Sequence, residues 1–168
     1  MGTILVDICD VALHKPDAMQ ALSFVTRAPN GADCLFIGTV RDTNRGKAVE
    51  GITYDVFDPL AKRSFTEICR EAQSQWGADL CLYVAHAKGR VEVCGTSIVI
   101  AVGSPHRDAA FKACSFVIDQ IKHRSPVWKL EHYADGDSGW VQGHALATDA
   151  PHPDVELANE GHPHEAAH

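Results

Sequence analysis

The sequence predicts an α/β (α+β) protein in which a mixed sheet packs against about three helices. Short runs rich in β-branched and apolar residues recur along the chain, and between them lie longer segments whose apolar residues repeat at helical spacing. Gly, Pro, Asn and Asp residues separate the two kinds of segment, which is typical of turns. With 168 residues, 45% of them hydrophobic, the chain is long enough to bury one core.

Six segments are predicted to be strands, because each is short, apolar and rich in β-branched or aromatic residues. They span residues 3–9, 32–40, 49–57, 80–87, 97–102 and 127–133. Asn30 and Gly31 form a turn signal before the second strand. The polar, glycine-containing segment 41–47 is predicted to be a loop between the second and third strands.

Three segments are predicted to be helices, at residues 17–26, 59–76 and 104–124. In the third, Ser104 is the predicted N-cap and Pro105 the first helical residue, a favoured pairing. We expect this helix to end at Arg124, because Pro126 disfavours helical backbone at the residue before it. The third helix is apolar over more than half of its circumference, so we predict that both the sheet and a second subunit cover it.

Residues 1–142 are predicted to form a single domain, and residues 143–168 an acidic, disordered tail rich in His, Pro and Ala. The tail holds five acidic residues and no Lys or Arg, and the whole chain has a formal net charge of −7. The domain is therefore close to neutral. The five histidines of the tail fit no ordered zinc pattern, so we favour a solvated appendage over a metal-binding one.

Composition disfavours several classes of function. A nearly neutral domain without a basic face argues against nucleic-acid binding, and no apolar run reaches the length of a membrane span. The N-terminus does not resemble a signal peptide, so we expect a cytoplasmic protein. The six cysteines include no C-x-x-C pair and are expected to be free thiols. We therefore expect neither a metal nor a cofactor.

Two lysines near the end of the third helix are the candidate catalytic residues. Lys122 lies in the predicted last turn, where a cation also interacts favourably with the helix dipole. Lys129 follows a proline turn that can bring it back beside Lys122. Because neighbouring ammonium groups repel each other, one of the pair would lose a proton more readily and could serve in proton transfer or as a nucleophile.

Three other residues are candidates for binding an anion. His106 and Arg107 lie in the first turn of the third helix, where free N–H groups attract anions and a guanidinium can bind two oxygens. Arg41 follows the second strand, at a strand end where binding groups are common. These residues indicate a small phosphorylated ligand, and the alternative is that they are surface residues without one.

The length of the third helix constrains how these groups assemble. Arg107 and Lys122 are fifteen residues apart, so roughly 22 Å separates them at 1.5 Å per residue. Either they belong to different sites, or a second subunit brings the start of its helix to the end of this one. The wide apolar surface of the helix favours the second option, so we predict a homodimer with composite sites.

Three separated segments resemble the large, catalytic subunit of molybdopterin synthase. They are G-A-D-C-L-F-I-G-T-V-R-D at residues 31–42, S-P-H-R-D-A-A-F at 104–111 and K-H-R-S-P-V-W-K at 122–129. The likeness runs in order from about Leu5 to Val141, which covers most of the chain. The resemblance implies an α/β hammerhead-type fold. It also implies a central homodimer that carries a small subunit at each end, which makes a heterotetramer.

The resemblance implies a sulfurtransferase in molybdenum cofactor biosynthesis. In that family, cyclic pyranopterin monophosphate receives two sulfurs and becomes the dithiolene molybdopterin, and the sulfurs come from the C-terminal thiocarboxylate of a ubiquitin-like small subunit. No metal or nucleotide is implied for this step. By resemblance, the functional residues are the catalytic Lys122 and Lys129, the substrate-binding Arg41, His106 and Arg107, and the pocket residue Phe36. The pair His106 and Arg107 is expected from the neighbouring subunit.

The chain departs from the family pattern at three places that affect the electrostatics of the pocket. Ile118 stands where a methionine is frequent, and Leu130 stands where a second basic residue is often found. The family sometimes carries an arginine a few residues beyond its last tryptophan, and this arginine is replaced here, near His144. The His-rich tail also lies outside the family pattern.

Two alternatives remain open at the level of sequence. A non-catalytic dimeric module that binds a phosphorylated ligand or a ubiquitin-like partner explains the cations equally well, but it gives the two lysines no special purpose. Nucleic-acid binding is the weakest alternative, because no basic face with interleaved aromatic residues is present in the sequence.

Overall fold

The computed structural model describes residues 2–142, and this part of the chain forms three helices and eight strands. In chain order these are β1 (Ile4–Asp10), α1 (Ala18–Val25), β2 (Ala32–Thr39), β3 (Thr43–Asn44), β4 (Lys47–Val56), α2 (Asp58–Trp76), β5 (Cys81–Glu92), β6 (Thr96–Ser104), α3 (Arg107–Arg124), β7 (Val127–Tyr133) and β8 (Ser138–Gln142). The predicted mixed α+β class with three helices is confirmed. The predicted tail, residues 143–168, and the departure near His144 lie outside the described residues.

The strands join in one mixed sheet in the order β2-β6-β5-β4-β7-β8, with β1 beside β5 and β3 beside β4. The pairing of β1 with β5 is parallel, and the other pairings are antiparallel. β5 was predicted to stop at Ala87, but it continues to Glu92. Gly89 adopts a φ of 101°, which favours glycine, and here β5 leaves its partner β1 and begins to pair with β4.

The sheet has helices on both faces. α2 and α3 cover one face, where Phe65 and Val117 belong to the main apolar cluster with Leu82 and Ile100 of β5 and β6. α1 covers the other face through a second cluster that includes Tyr83. Neighbouring residues of β5 therefore enter opposite cores, because successive side chains of a strand point to opposite faces.

The start of the third helix differs from the prediction. α3 begins at Arg107 with His106 as N-cap, so the assignment of Ser104 as N-cap and Pro105 as first helical residue was wrong. Ser104 is instead the last residue of β6, where it is 1% exposed and pairs with Ala32. Its hydroxyl still accepts a hydrogen bond from the His106 N–H at 3.3 Å. Strand pairing and burial have outweighed the local capping preference.

Two short strands were not predicted. β3 pairs with the start of β4 in a tight hairpin, whose turn residues Arg45 and Gly46 both have positive φ. β8 pairs with β7 and extends the sheet beyond it. The other predicted strands and the first two helices are found at nearly their predicted positions. Among the described helices, none has the length and apolar character needed to cross a membrane.

Candidate active site

The end of α3 and the start of β7 form one wall of a cavity of about 460 Å³. α3 ends at Arg124, Ser125 is extended, and the chain then turns into β7, which runs antiparallel beside β4. This reversal places Lys129 beside the cavity that Lys122 also lines. The sequence-based expectation that the proline turn brings the two lysines to one place therefore agrees with the geometry.

A second cavity of about 230 Å³ adjoins the first, because the two share Lys122, Lys129 and four other lining residues. Its wall also contains Phe36 of β2 and Arg41 of the following loop. Phe36 reaches this position because β2 pairs with β6, with Phe36 opposite Ile100. Four of the six predicted site residues thus line one cavity.

Glu131 is a buried carboxylate in this site that the sequence analysis missed. Its side chain is 4% exposed, and one carboxylate oxygen lies 3.3 Å from the Lys129 ammonium. The other oxygen accepts hydrogen bonds from the Asn44 amide at 2.5 Å and from the Tyr133 hydroxyl. Burial alone raises the pKa of Glu131, but these hydrogen bonds and the charge of Lys129 outweigh it and lower the pKa.

This carboxylate changes the electrostatics expected for the lysine pair. Lys129 has an anion 3.3 Å from its ammonium group and shares the cavity wall with Lys122, so repulsion between two ammonium groups is not the only charge effect on it. Glu131 also holds Asn44, on the hairpin that follows Arg41, and thereby joins that hairpin to β7. A signal was present in the sequence, since Lys129 and Glu131 are two residues apart on a predicted strand and must share one face.

A neutral histidine lines the first cavity. His86 is buried, which lowers its pKa to about 4, against the opposing effect of its hydrogen bond to the Ala87 carbonyl. Because that carbonyl only accepts, Nδ1 carries the proton at 2.8 Å from it, and Nε2 is left as an acceptor. The His86 ring meets Tyr54 edge-on at 5.1 Å between centroids.

Tyr54 also remains uncharged. Its pKa is raised by burial and by the charge of Glu131, against a hydrogen bond with Ser97 that lowers it. Tyr54 lines both cavities. The cavity of about 460 Å³ is therefore lined by two lysines together with the neutral hydrogen-bonding groups of His86 and Tyr54.

The structure does not bring His106 and Arg107 to these cavities. Both are exposed at the start of α3, at the opposite end of the helix from Lys122. His106 makes no capping hydrogen bond through its side chain. Their expected origin in a neighbouring subunit stays a prediction, and it agrees with their distance from Lys122 in a single chain.

The two described departures from the family pattern lie in different surroundings. Ile118 lines both cavities, so the change from methionine alters their wall. Leu130 lies on the face of β7 opposite to Lys129, since successive residues of a strand alternate. It is absent from the walls of both cavities within residues 2–142.

Comparison with known proteins identifies the family. The sequence model of the MoaE protein matches residues 11–124, which is more than half of the chain. The chain belongs to the MoaE family. The match contains five of the six predicted site residues, and Lys129 lies just beyond it.

Several relatives of this MoaE-family chain are molybdopterin synthase catalytic subunits by name. The one from Synechococcus elongatus is 51% identical over 116 residues, which is 69% of this chain and 70% of that protein. The one from Arabidopsis thaliana is 40% identical over 124 residues, 74% of this chain and 62% of that protein.

Solved structures of the same family share the fold. Molybdopterin synthase from Staphylococcus aureus aligns with a TM-score of 0.72 at 27% identity, covering 83% of this chain and 96% of that one. The MoaE protein from Burkholderia ambifaria aligns with a TM-score of 0.66 at 28% identity, covering 88% and 94%.

Proposed function

We propose that this chain is the catalytic subunit of a molybdopterin synthase. It transfers sulfur from a thiocarboxylated, ubiquitin-like small subunit to cyclic pyranopterin monophosphate and forms the dithiolene of molybdopterin. The observation that supports this most strongly is the pair Lys122 and Lys129 on the wall of one 460 Å³ cavity, in a chain whose relatives bear that name. We assign the activity to the domain of residues 1–142.

The proposed chemistry needs cations near a reacting thiocarboxylate. Its sulfur forms a bond to a substrate carbon, and a carbon–oxygen bond of that carbon breaks, its oxygen leaving in protonated form. Water then cleaves the bond between the sulfur and the carrier's acyl carbon, which leaves the sulfur on the substrate and an ordinary carboxylate on the carrier. Negative charge develops on oxygen in both steps, and an ammonium group can stabilise it and donate a proton. Lys122 is our candidate for this direct role. Lys129, which is held by Glu131, orients the substrate and supports the charge.

The cyclic phosphate of the substrate needs an anion site beside the same cavity. Arg41 of the same chain lines the second cavity and can supply one cation. His106 and Arg107 supply further hydrogen-bond donors from a neighbouring subunit, because they lie at the wrong end of α3 to do so within one chain. Phe111 supports this dimer: it lies one turn beyond Arg107 and leaves 64% of its surface exposed.

The small subunit is proposed to insert its extended C-terminal segment into the cavity. Relatives that are named catalytic subunits imply a second, non-catalytic subunit. A flexible tail that ends in a thiocarboxylate would place its reactive sulfur beside Lys122 and Lys129. The arrangement gives a heterotetramer of two catalytic and two small subunits.

The experiment is a turnover assay with the purified chain, cyclic pyranopterin monophosphate and a thiocarboxylated carrier. Molybdopterin is followed through its fluorescent oxidation product. We expect product from the wild-type chain, and a loss of about 10²–10⁴-fold in rate for Lys122→Ala, as for removal of a group that transfers protons. Lys129→Ala is expected to lose activity as well.

Lys112→Ala is the matched control, since Lys112 lies on the same helix but pairs with Asp108 on the exposed surface. This variant is expected to keep wild-type turnover and the same oligomeric state. Full activity of Lys122→Ala would show that its assigned role is wrong. Stable carrier binding without any product from the wild-type chain would favour the non-catalytic binding module instead.

A further inference from the structure

We propose that Asp7, Cys9 and His14 bind one divalent transition-metal ion of the zinc class. The three residues lie at the end of β1 and in the turn that follows it. None of them lines the cavities of the candidate active site. The proposal is therefore independent of the proposed function.

Local backbone geometry brings the three side chains together. Asp7 and Cys9 are two residues apart on β1 and so project from the same face. After Asp10 the chain turns back, with the His14 N–H donating to the Asp10 carbonyl at 2.9 Å. The Asp10 side chain supports this turn by accepting from the Ala12 N–H at 3.0 Å. His14 thereby lies over the end of the strand.

Two of the distances between the donor atoms agree with those of a zinc site. Asp7 Oδ2 lies 3.6 Å from Cys9 Sγ and 3.3 Å from His14 Nε2. All three donor atoms lie within 4.8 Å of one another. Ligands bound tetrahedrally at Zn–S and Zn–N or Zn–O distances of about 2.0–2.3 Å are roughly 3.3–3.6 Å apart. Three protein ligands would leave a fourth position for water.

The surrounding residues orient the carboxylate of Asp7 for such a role. Its Oδ1 accepts from the Ile8 N–H at 2.9 Å and from the Lys62 ammonium at 3.2 Å. Oδ2 is consequently the oxygen that faces the thiol and the imidazole. Hydrogen bonds of this kind to the second oxygen are a regular feature of carboxylates that bind metals.

The site is open on one side and closed on the other. The side chains of His14 and Asp7 are 55% and 34% exposed, whereas Cys9 is 2% exposed and forms the floor. Binding replaces the hydrogen bond from the Cys9 thiol to Asp7 with a metal–sulfur bond, and the thiol proton passes to solvent without any redox change. A thiolate ligand selects zinc-class ions over Mg²⁺ and Ca²⁺.

The test is a titration of the full-length chain, freed of metal, with Co²⁺ as a spectroscopic substitute for Zn²⁺. A thiolate ligand gives cobalt a sulfur-to-metal charge-transfer absorption, and Zn²⁺ should remove this absorption by competition. The histidines of residues 143–168 cannot produce the band, because the last cysteine of the chain is Cys114. We expect one ion per chain that gives the band.

Variants then identify the ligands. Cys9→Ser should abolish the charge-transfer band, and His14→Gln should weaken Co²⁺ binding by about tenfold or more. His14 is exposed, so its variant keeps the test valid if Cys9→Ser fails to fold. Cys94→Ser is the matched control, since Cys94 is an exposed thiol in the turn between β5 and β6. It should leave the band unchanged.

Two results would overturn the proposal. The first is the absence of a charge-transfer band at any Co²⁺ concentration, because Co²⁺ would then bind only to the tail or not at all. The second is a band that survives Cys9→Ser, or one whose titration is the same in His14→Gln and the wild-type chain, because the ligands would then lie elsewhere.

Discussion

The two ends of α3 differ in how completely the single chain surrounds them. At the C-terminal end, Lys122 lines two cavities, Arg124 binds Glu71 of α2 through two 2.7 Å hydrogen bonds, and Ser125 contacts Ser64. At the N-terminal end, His106 and Arg107 are exposed, and the N-cap side chain makes no hydrogen bond to the helix. The C-terminal end of α3 is thus packed against the rest of the chain, whereas the N-terminal end exposes His106 and Arg107.

The two ends of α3 can contribute to the same reaction only if they belong to different copies of the chain. About 22 Å of helix separates Arg107 from Lys122, which exceeds the reach of a small substrate. A site that uses both needs two copies of the helix. In the symmetric dimer that we propose, this arrangement would occur twice, because each chain would donate the N-terminal end of α3 to its partner's site.

The largest effect is expected when two inactive variants, one substituted at each end of α3, are mixed. Arg107→Ala and Lys122→Ala should each lose most turnover alone. After subunit exchange, half of the dimers are mixed, and each mixed dimer has one site without either substitution. Turnover should therefore recover to about a quarter of the wild-type value, measured with the same fluorescent product.

A mixture of Lys122→Ala and Lys129→Ala is the control, since both lysines line the same cavity of one chain. Every site in that mixture carries a substitution, so no recovery is expected. Equal behaviour of the two mixtures would show that the two ends of α3 do not meet in a shared site.

A smaller effect is expected from the carboxylate that holds Lys129. Glu131→Gln should lower the free energy of unfolding at pH 7 by about 1.5–3 kcal/mol, the usual value for hydrogen bonds to a charged group. Because the pKa of Glu131 is lowered in the folded protein, its contribution is present above about pH 4.3 and is lost as the pH falls through the folded pKa.

Urea unfolding of wild type and Glu131→Gln at pH 7, 4 and 3 measures this dependence. The difference between the two proteins should shrink as the pH falls. A difference that stays constant down to pH 3 would contradict a lowered pKa. In the turnover assay the same variant should lose activity, since Lys129 would no longer be held in place.

The smallest effect concerns the ion pair that ties the C-terminal end of α3 to α2. Arg124 and Glu71 are each 41% exposed, so their coupling should be only about 0.2–1 kcal/mol despite the two short hydrogen bonds. A double-mutant cycle with Arg124→Gln and Glu71→Gln, followed by urea unfolding, measures it. A coupling energy well above this range would mean that Arg124 and Glu71 form part of the cavity wall and do not behave as a surface ion pair.

Sequence patterns predicted those features of the site that depend on residues close together in the chain. The turn at Pro126 indicated that Lys129 returns toward Lys122, and both line one cavity. Arg41 was a candidate because it follows the second strand, and Phe36 came from the resemblance. Nothing in the neighbourhood of either residue indicates where β2 lies relative to α3. Their place beside the lysines follows from the pairing of β2 with β6.

The residues that were missed depend on contacts between distant segments. Glu131 is a binding partner of Asn44, which is 87 residues away in the chain. His86 is neutral because β5 and its neighbours bury it. Likewise, Ser104 is a good N-cap residue by type, yet β6 extends through it. In each case a long-range contact decided the environment. The alternation along β7 indicated only that Glu131 shares a face with Lys129, and no local pattern indicated its burial or its hydrogen bond with Asn44.

Periodicity, turn chemistry and motifs are local properties of the chain, and they predicted the class of fold, the number of helices, the paired lysines and the family. The packing of distant segments settles which cations share a cavity, which carboxylate binds Lys129 and which thiol lies against Asp7 and His14. These depend on strand register and on the turn after β1. A shift of one residue in register would send every side chain of a strand to the opposite face.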